Sequence, residues 1–350
     1  MTFNTIDNVS IRGISVCVPK NIESNFDLPI FKEGEAKRII ALSGIERKHV
    51  VIPGISMKEL AIGAFSGLME ELEWERDTVD MLVMVSSAGE FITPSTANVL
   101  HGVLELKETC LCFDIRQGCP GWIVGMHVVS SMLSQGNMHR AVLLCGDISS
   151  RMNSPYDKET RAEFGDAITA TALEFSQGAP ALEFLHGCKG KDYDSIIIPD
   201  GGLRNPITSE SIRYQEDEKG VKRRKIDCAT DGVNVFAFCL SHAPKGAQQM
   251  MQYYGINPED IDCFLLSQSN RFLNEKIRKM LSWPSEKVPY SLRDYGNNSG
   301  GSIPLTLVTQ RREAYQNGKM NSVACAFGVG LAWGCLHFQT ENIKCAYVEI

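Results

Sequence analysis

The chain has 350 residues, 43% of them hydrophobic, and a formal net charge of −7. This length supports one large or two medium domains with a sizeable core. The negative charge argues against general nucleic-acid binding, and no apolar run reaches the ~20 residues that a membrane-spanning helix needs. The N-terminal segment also lacks the pattern of a signal peptide. We therefore expect a cytoplasmic protein with neither nucleic acid nor membrane as a partner.

Twelve cysteines are spread along the chain. They form no CxxC pair, and Cys110 and Cys112 are too close together for the usual zinc spacing. In a chain without a visible export signal, we interpret them as reduced thiols, most of them small core residues. The sequence predicts no metal site and no tightly bound cofactor.

Apolar runs alternate with helical patterns in chain order. Apolar residues at helical spacing predict helices over 61–72, 122–133 and 305–314. Such alternation with buried strands is typical of α/β layers. The stretch 178–227, with its charged run from Glu216 to Lys225, breaks this rhythm. We interpret it as a partly exposed excursion between two larger units.

The chain also repeats itself at an offset of about 180 residues. Buried strands look alike in any α/β protein, but three matches in the same order favour a duplication. It predicts an N-terminal half over 1–177 and a C-terminal half over 228–350, related by a pseudo-twofold axis. The matching pairs are TVDMLVMVSS from Thr78 with DIDCFLLSQS from Asp260, DIRQGCPG from Asp114 with DYGNNSGG from Asp294, and HRAVLLCG from His139 with NSVACAFG from Asn321.

Cys119 lies between Gly118 and Gly121, where a predicted strand turns into a predicted helix. Helix N-termini offer unpaired N–H groups and a partial positive charge. Both features lower the pKa of a thiol and stabilise the oxyanion formed when a thioester is attacked. The local pattern fits a nucleophile, and it fits equally a buried cysteine that only fills space.

The equivalent turn of the second half runs from Gly296 to Ser302. If a pseudo-twofold axis relates the halves, the two turns meet at the centre of the molecule, and Cys119 faces the amide of Asn297. An amide donor there can polarise an acyl carbonyl. The alternative is that Asn297 is only a turn or cap residue, a common role of asparagine.

Six segments together resemble the ketoacyl-ACP synthase III family, in its order and spacing. The resemblance implies a thiolase-like α/β fold of two similar halves, layered α-β-α-β-α, and a homodimer. It also implies that a cysteine accepts an acyl group from acyl-CoA or acyl carrier protein, after which malonyl-ACP is usually decarboxylated and condensed. The segments are TPSTAN (Thr93–Asn98), FDIRQGCPGW (Phe113–Trp122), FGDAITA (Phe164–Ala170), DGVNVFAF (Asp231–Phe238), YGNNSGGSIPL (Tyr295–Leu305) and FGVGLAWG (Phe327–Gly334).

The resemblance assigns roles by position. Cys119 matches the family nucleophile, and Asn297 matches the active-site asparagine. The backbone N–H groups of Cys119 and Val329 match the oxyanion hole. Val329 stands where the family has the middle of three glycines, so a donor survives there only if its dihedrals suit a β-branched residue.

The main departure from the family is at Ser267, where the family has its catalytic histidine. A serine hydroxyl is uncharged and a poor base at neutral pH. We therefore expect inefficient decarboxylation, with Ser267 or Gln268 left to donate to a carbonyl. By pattern, four histidines fall in helices or strands away from the two turns and do not replace it, namely His127, His139, His242 and His337.

Three further positions concern substrate binding by resemblance. Lys158 stands where an adenine-stacking arginine is usual, and Arg271 lies one place before the usual carrier-binding arginine. Thr93 occupies the position that closes the acyl pocket across the dimer, and its small size predicts room for more than acetyl. The basic run 222–225 either attracts an acidic carrier or CoA phosphates, or is a solvated loop.

Three functions remain open from the sequence. The first is an acyltransferase that forms a Cys119 acyl-enzyme and passes the acyl group to an amine, a hydroxyl or an unusual carbon nucleophile. The second is a decarboxylative condensing enzyme of fatty-acid-type biosynthesis, in which Ser267, Gln268 and Asn297 suffice. The third is a non-catalytic partner subunit of an active ketosynthase.

Overall fold

A computed structural model describes residues 2–218 and 220–350 of the chain. The strands are β1 (Thr2–Ile6), β2 (Val9–Val18), β3 (Ile22–Ser24), β4 (Arg47–His49), β5 (Met81–Ser86), β6 (Leu111–Arg116), β7 (Arg140–Ile148), β8 (Asp166–Phe175), β9 (Leu182–Cys188), β10 (Ile196–Ile197), β11 (Gln215–Glu216), β12 (Lys222–Arg223), β13 (Ala229–Thr230), β14 (Cys263–Leu266), β15 (Lys319–Gly328), β16 (Ala332–Glu341) and β17 (Lys344–Glu349). The α-helices are α1 (Glu35–Ser43), α2 (Met57–Leu72), α3 (Thr96–Val103), α4 (Gly121–Leu133), α5 (Lys158–Glu163), α6 (Gly232–Tyr254), α7 (Arg271–Met280), α8 (Leu292–Tyr295), α9 (Ser302–Gln310) and α10 (Arg312–Gln316).

Two mixed sheets form the framework. The first has six strands in the order β17-β2-β8-β7-β5-β6, and the second has five in the order β1-β9-β16-β15-β14. Within the first sheet β5 is parallel to both β6 and β7, and within the second β14 is parallel to β15. Parallel neighbours end at the same sheet edge, so the turns that follow these strands are brought together.

The two sheets and their helices form five layers. Helices α4 and α9 lie between the sheets, where α4 contacts β7 and β16, and α9 contacts β2 and β14. Helices α2 and α3 cover the outer face of the first sheet, and α6 and α7 cover that of the second. This arrangement confirms the predicted α-β-α-β-α layering. No helix in the described parts of the chain is long and apolar enough to cross a membrane.

The sheets do not follow the predicted boundaries at 177 and 228. The C-terminal strand β17 pairs with β2 in the first sheet, while β1 and β9 belong to the second. The predicted excursion therefore contains an inner strand, and Phe184 and Leu185 on it are fully buried. Sequence rhythm did not reveal β9 because its partners β1 and β16 are distant in the chain.

The repeat is visible in the strands β5 and β14 and in β7 and β15, which begin close to the matched segments. One part of the repeat differs. Asp114 of the first matched segment lies on the strand β6, whereas Asp294 of the second lies in the short helix α8, which ends where Gly296 takes a positive φ of 66°. The predicted helix 305–314 is likewise two helices, since α9 ends at Gln310 and α10 begins at Arg312.

Candidate active site

Cys119 lies in the turn between β6 and α4. The N–H of Gly121 donates to the carbonyl of Gly118 (2.7 Å), which closes the turn just before the helix begins. The cysteine side chain is half-buried. A Cβ at Gly121 would lie 2.8 Å from Cγ1 of Val85, so glycine allows α4 to pack tightly on β5. The predicted strand-to-helix turn is therefore present, with the thiol at the helix N-terminus.

The loop between β15 and β16 covers the thiol. The backbone N–H groups of Val329 and of Cys119 itself lie near the Cys119 sulfur and favour its thiolate form. Gly328 and Gly330 take the positive φ values of this loop, 154° and 134°. Val329 is not among the residues with positive φ, so its backbone suits a β-branched side chain. The two backbone groups predicted as oxyanion-hole donors thus both lie beside the Cys119 sulfur, and their catalytic role stays a prediction.

The electrostatics of the thiol differ from the expectation. Burial raises the pKa of Cys119, and the nearby carboxyl groups of Asp147 and Glu163 raise it further. The two backbone N–H groups act in the opposite direction but do not prevail. Cys119 therefore rests as a thiol and needs a proton acceptor before it attacks. The helix terminus alone does not activate it, contrary to the sequence-based argument.

The second glycine-rich turn packs directly on the first. A Cβ at Gly300 would lie 2.9 Å from the carbonyl oxygen of Gly118, so these backbones approach as closely as glycine permits. Asn297 is 6% exposed, and its Oδ1 accepts from the N–H of Ser299 (3.0 Å). The two turns meet between the sheets, as the repeat predicted.

Asn297 is joined to a carboxylate that the sequence analysis did not identify. Its Nδ2 donates to Oε1 of Glu163 (2.9 Å), and its backbone N–H donates to the carbonyl of Glu163 (2.9 Å). Glu163 is the last residue of α5 and is half-buried. Burial raises the pKa of Glu163 to about 7, and the Asn297 hydrogen bond lowers it only in part. The one signal in the sequence was an acidic residue directly before the FGDAITA segment.

Asp147 is a second carboxylate near the turns that the sequence did not indicate. Its oxygens accept from the N–H and Oγ of Ser87 (2.8 and 2.9 Å), and it is also hydrogen-bonded to Ser299. Burial raises the pKa of Asp147 to about 6. Asp147 therefore ties the end of β5 to the second glycine-rich turn, and its charge lies close to Cys119.

Ser267 and Gln268 follow β14 at the same sheet edge. Oγ of Ser267 accepts from the N–H of Phe327 (3.4 Å), next to the loop over Cys119. Gln268 is fully buried, with Nε2 donating to the carbonyl of Leu266 (2.8 Å) and Oε1 accepting from the N–H of Ser291 (3.1 Å). The structure brings Ser267 to the site but uses Gln268 to hold the backbone, with no exposed atom for a substrate carbonyl.

A cleft of about 660 Å³ lies outside these residues. It is lined by residues from α5, from the segment 217–233 and from the starts of α6 and α7, including Glu159, Arg223, Thr230, Phe236 and Phe272. Glu159, which lines the cleft, and Glu163 are one turn apart on the same face of α5. Arg223 pairs with Asp157 (2.7 Å) and Asp217 (3.3 Å).

The other predicted substrate contacts lie at the periphery. Arg271 is half-exposed beside the cleft and stacks over Tyr290 (3.9 Å), whereas Lys158 pairs with Glu35 (2.5 Å). Thr93 lies on an exposed loop with Phe91 and Ile92. Roles for Lys158, Arg271 and Thr93 in binding stay predictions.

The four histidines named above engage other groups. His127 stacks on Phe184, His139 packs edge-on against Phe175, and His242 stacks on Phe238. His337 binds Glu183 (2.7 Å) on the second sheet. The strongest electrostatic influences on Cys119 are instead two carboxyl groups and two backbone N–H groups.

Comparison with known proteins gives a consistent family signal. Residues 113–190 match the family described as 3-oxoacyl-[acyl-carrier-protein (ACP)] synthase III, and residues 251–340 match its C-terminal part. A Campylobacter jejuni protein, named provisionally as a 3-oxoacyl-[acyl-carrier-protein] synthase 3, is 29% identical over 96% of this chain and 94% of its own length. The β-ketoacyl-[acyl-carrier-protein] synthase III of Koribacter versatilis is 25% identical over 94% of this chain and 97% of its own.

A solved structure extends the similarity to the whole fold. The crystal structure of a 3-oxoacyl-(acyl-carrier protein) synthase from Burkholderia xenovorans is similar with a TM-score of 0.94 and 29% identity. The match covers 100% of this chain and 99% of that one. The thiolase-like architecture expected from the motifs is therefore confirmed at the level of the complete chain.

The position of Gly328 allows a direct test of the covering loop. A Cβ at residue 328 would lie 2.6 Å from the sulfur of Cys119, in a backbone conformation that alanine rarely adopts. Gly328→Ala should slow acylation of Cys119 by on the order of 10²-fold, the usual cost of a lost oxyanion donor. Acylation is followed by intact mass. Gly330→Ala is the control, because it has similar backbone strain while its nearest contact is Ala332. Equal losses in both variants would show that loop strain alone decides the effect.

The buried acid Glu163 predicts a pH-dependent stability. Its pKa is about 7 in the folded protein against an ordinary 4.5, so the unfolded chain releases this proton first as pH rises. Stability should therefore fall between these two pH values. Glu163→Gln should regain about 1–3 kcal/mol at pH 8 and little at pH 4, measured by urea unfolding. Glu313→Gln, an exposed charge control, should regain nothing. An unchanged pH slope in Glu163→Gln would disprove the raised pKa.

Proposed function

This chain belongs to the 3-oxoacyl-[acyl-carrier-protein] synthase III family, and from that premise we propose that its acyl transfer proceeds through a Cys119 acyl-enzyme. The Cys119 sulfur takes an acyl group from a thioester of CoA or of acyl carrier protein, while its proton passes to the sulfur of the released CoA or carrier thiol, and the acyl group then passes to an acceptor. The supporting observation is that two backbone N–H groups converge on one accessible sulfur at a helix N-terminus. This arrangement suits the tetrahedral intermediate of thioester attack.

The order of events follows from the geometry. The donor thioester enters by the cleft, and its carbonyl oxygen takes the place between the N–H groups of Cys119 and Val329. Asn297 retains one amide hydrogen that Glu163 does not use, and it can donate to the acyl or acceptor carbonyl. Ser267 offers its hydroxyl hydrogen from the neighbouring strand end. We further propose a homodimer in the cytoplasm, with Thr93 reaching the partner's acyl pocket and Arg271 and Lys158 near the donor.

Decarboxylative condensation is the second candidate, and the whole-chain similarity to synthases favours it. The site itself favours acyl transfer without decarboxylation. Ser267 replaces the histidine, and Asp147 and Glu163 lie near the sulfur. A malonyl group adds a third carboxylate there and, after losing carbon dioxide, an enolate. Like charges at close range disfavour both species. A non-catalytic subunit fits less well, because the oxyanion donors are in place.

Intact mass spectrometry tests the acyl-enzyme. Incubation with a panel of acyl-CoA and acyl-ACP donors should give a stable adduct of one acyl group, lost in Cys119→Ala because the nucleophile is removed. Cys188→Ala is the control for adventitious acylation, since Cys188 is an exposed thiol. An adduct that persists in Cys119→Ala, or no adduct with any donor, would refute this proposal.

Carbon dioxide release from malonyl-ACP separates the two catalytic candidates. The wild type should release it slowly, because Ser267 is a poor substitute for an imidazole and two acids oppose the enolate. Ser267→His should accelerate release about 10-fold, less than the 10²–10³ that one such donor is usually worth. Rapid release by the wild type, with a 3-oxoacyl product, would instead establish condensation.

A further inference from the structure

The environment of Glu163 shows that this side chain is held with one oxygen fixed and one free. Oε1 accepts from Asn297, and the backbone of the two residues is linked by a second hydrogen bond. In the described residues 2–218 and 220–350, no group donates to Oε2. Oε2 is also not among the fully buried side-chain atoms that lack a hydrogen-bond partner. The carboxylate is thus oriented by Asn297 and open on its other side.

Glu163 lies beside the two glycine-rich turns. It is hydrogen-bonded to Asn297 at the start of the second turn, and that turn packs on the turn that holds Cys119. The charge of Glu163 is accordingly among the influences that raise the pKa of Cys119. One turn earlier on the same helix, Glu159 lines the cleft. Helix α5 therefore connects the cleft, through Asn297, to the turn of Cys119.

A purely structural role does not explain why residue 163 is an acid. Holding the Asn297 amide requires a hydrogen-bond acceptor, which a neutral glutamine would supply without the cost of burying an ionisable group. The acid is nevertheless kept, with a pKa of about 7, because burial and the carboxyls of Glu159 and Asp157 disfavour its charge. A group that is half-ionised near neutral pH is suited to both take up and return a proton.

We propose that Glu163 is the general base of the second half-reaction and that the acceptor is a hydroxyl or an amine. This inference rests on the proposed Cys119 acyl-enzyme. The inference assigns to Glu163 the role of base, for which the Ser267 hydroxyl is unsuited. It also requires an acceptor that can release a proton.

The proton balance of the step is complete without a further reagent. The acceptor oxygen or nitrogen bonds to the acyl carbon while its proton passes to Oε2 of Glu163. The tetrahedral intermediate, held by the N–H groups of Cys119 and Val329, collapses and breaks the carbon–sulfur bond. The proton then returns from Glu163 to the departing sulfur, which restores the thiol and the carboxylate. The products are the ester or amide and the free enzyme.

The test measures discharge of a preformed acyl-enzyme rather than overall turnover. Wild type, Glu163→Gln and Glu163→Asp are acylated, freed of donor and mixed with glycerol or ethanolamine across a pH series. Loss of the acyl mass gives the rate. Hydroxylamine is run in parallel, since this strong nucleophile attacks thioesters with little base assistance. Glu313→Gln is the isosteric control at an exposed carboxylate far from the site.

The expected result is a wild-type rate toward glycerol that rises with pH and levels off above about 7, where Glu163 is ionised, and the same profile toward ethanolamine once the rate is divided by the fraction of free amine. Glu163→Gln should discharge to glycerol and ethanolamine about 10²-fold more slowly, without that inflection, yet react with hydroxylamine at close to the wild-type rate. Glu163→Asp should restore part of the rate and the inflection, because it keeps a carboxylate.

The opposite results would overturn the assignment of Glu163. An unchanged pH inflection in Glu163→Gln would assign the proton transfer to another group. If Glu163→Gln slowed the reaction with hydroxylamine as much as the reactions with glycerol and ethanolamine, Glu163 would only position Asn297. Either result would leave the Cys119 acyl-enzyme intact, because the adduct must form before discharge is measured. Failure of the adduct itself would instead refute the function proposed above.

Discussion

The close approach of the Val329 loop to the Cys119 sulfur is the constraint on which the arrangement of the site depends. Two sheets are needed to make it, because Cys119 follows a strand of the first and Val329 follows a strand of the second. The helices α4 and α9 pack between the two sheets, where the loops that hold Cys119 and Val329 meet. The glycines at 300 and 328 then permit backbone approaches that any side chain would prevent. Packing thus brings the backbone N–H groups of Cys119 and Val329, which we propose as the oxyanion hole, to the meeting point of two similar halves.

Two carboxyl groups, those of Asp147 and Glu163, lie near the sulfur that we propose as the nucleophile. Asp147 is fixed by Ser87 and Ser299, and Glu163 is fixed by Asn297, so neither carboxylate can turn away. Burial and, after it, the charges of these carboxylates raise the pKa of Cys119, and the same charges oppose the build-up of negative charge on a substrate. In the reaction that we propose, the acids that disfavour an enolate also supply a base for a protic acceptor.

Much of this site could be predicted from the sequence, and the remainder could not for identifiable reasons. The glycines around Cys119 and the matching turn at Asn297 are local sequence patterns. The repeat of about 180 residues relates the two patterns and so predicts that the turns lie close together in the fold. Glu163 has no such pattern, because its pKa depends on burial and on a hydrogen bond to a residue 134 positions away. The inner strand β9 was similarly hidden, since only its pairing with β1 and β16 identifies it. Gln268 was assigned a substrate contact by its position after Ser267, and only the fold shows that both ends of its amide bind the backbone.

A crystal structure of the protein with an acyl group trapped on Cys119 would test the proposed acyl-enzyme directly. We expect a thioester whose carbonyl oxygen lies between the N–H groups of residues 119 and 329, with the carbonyl carbon accessible from the side of Glu163. An ordered acyl chain in the outer cleft and an unmodified sulfur would contradict it. So would a thioester whose oxygen points away from Val329.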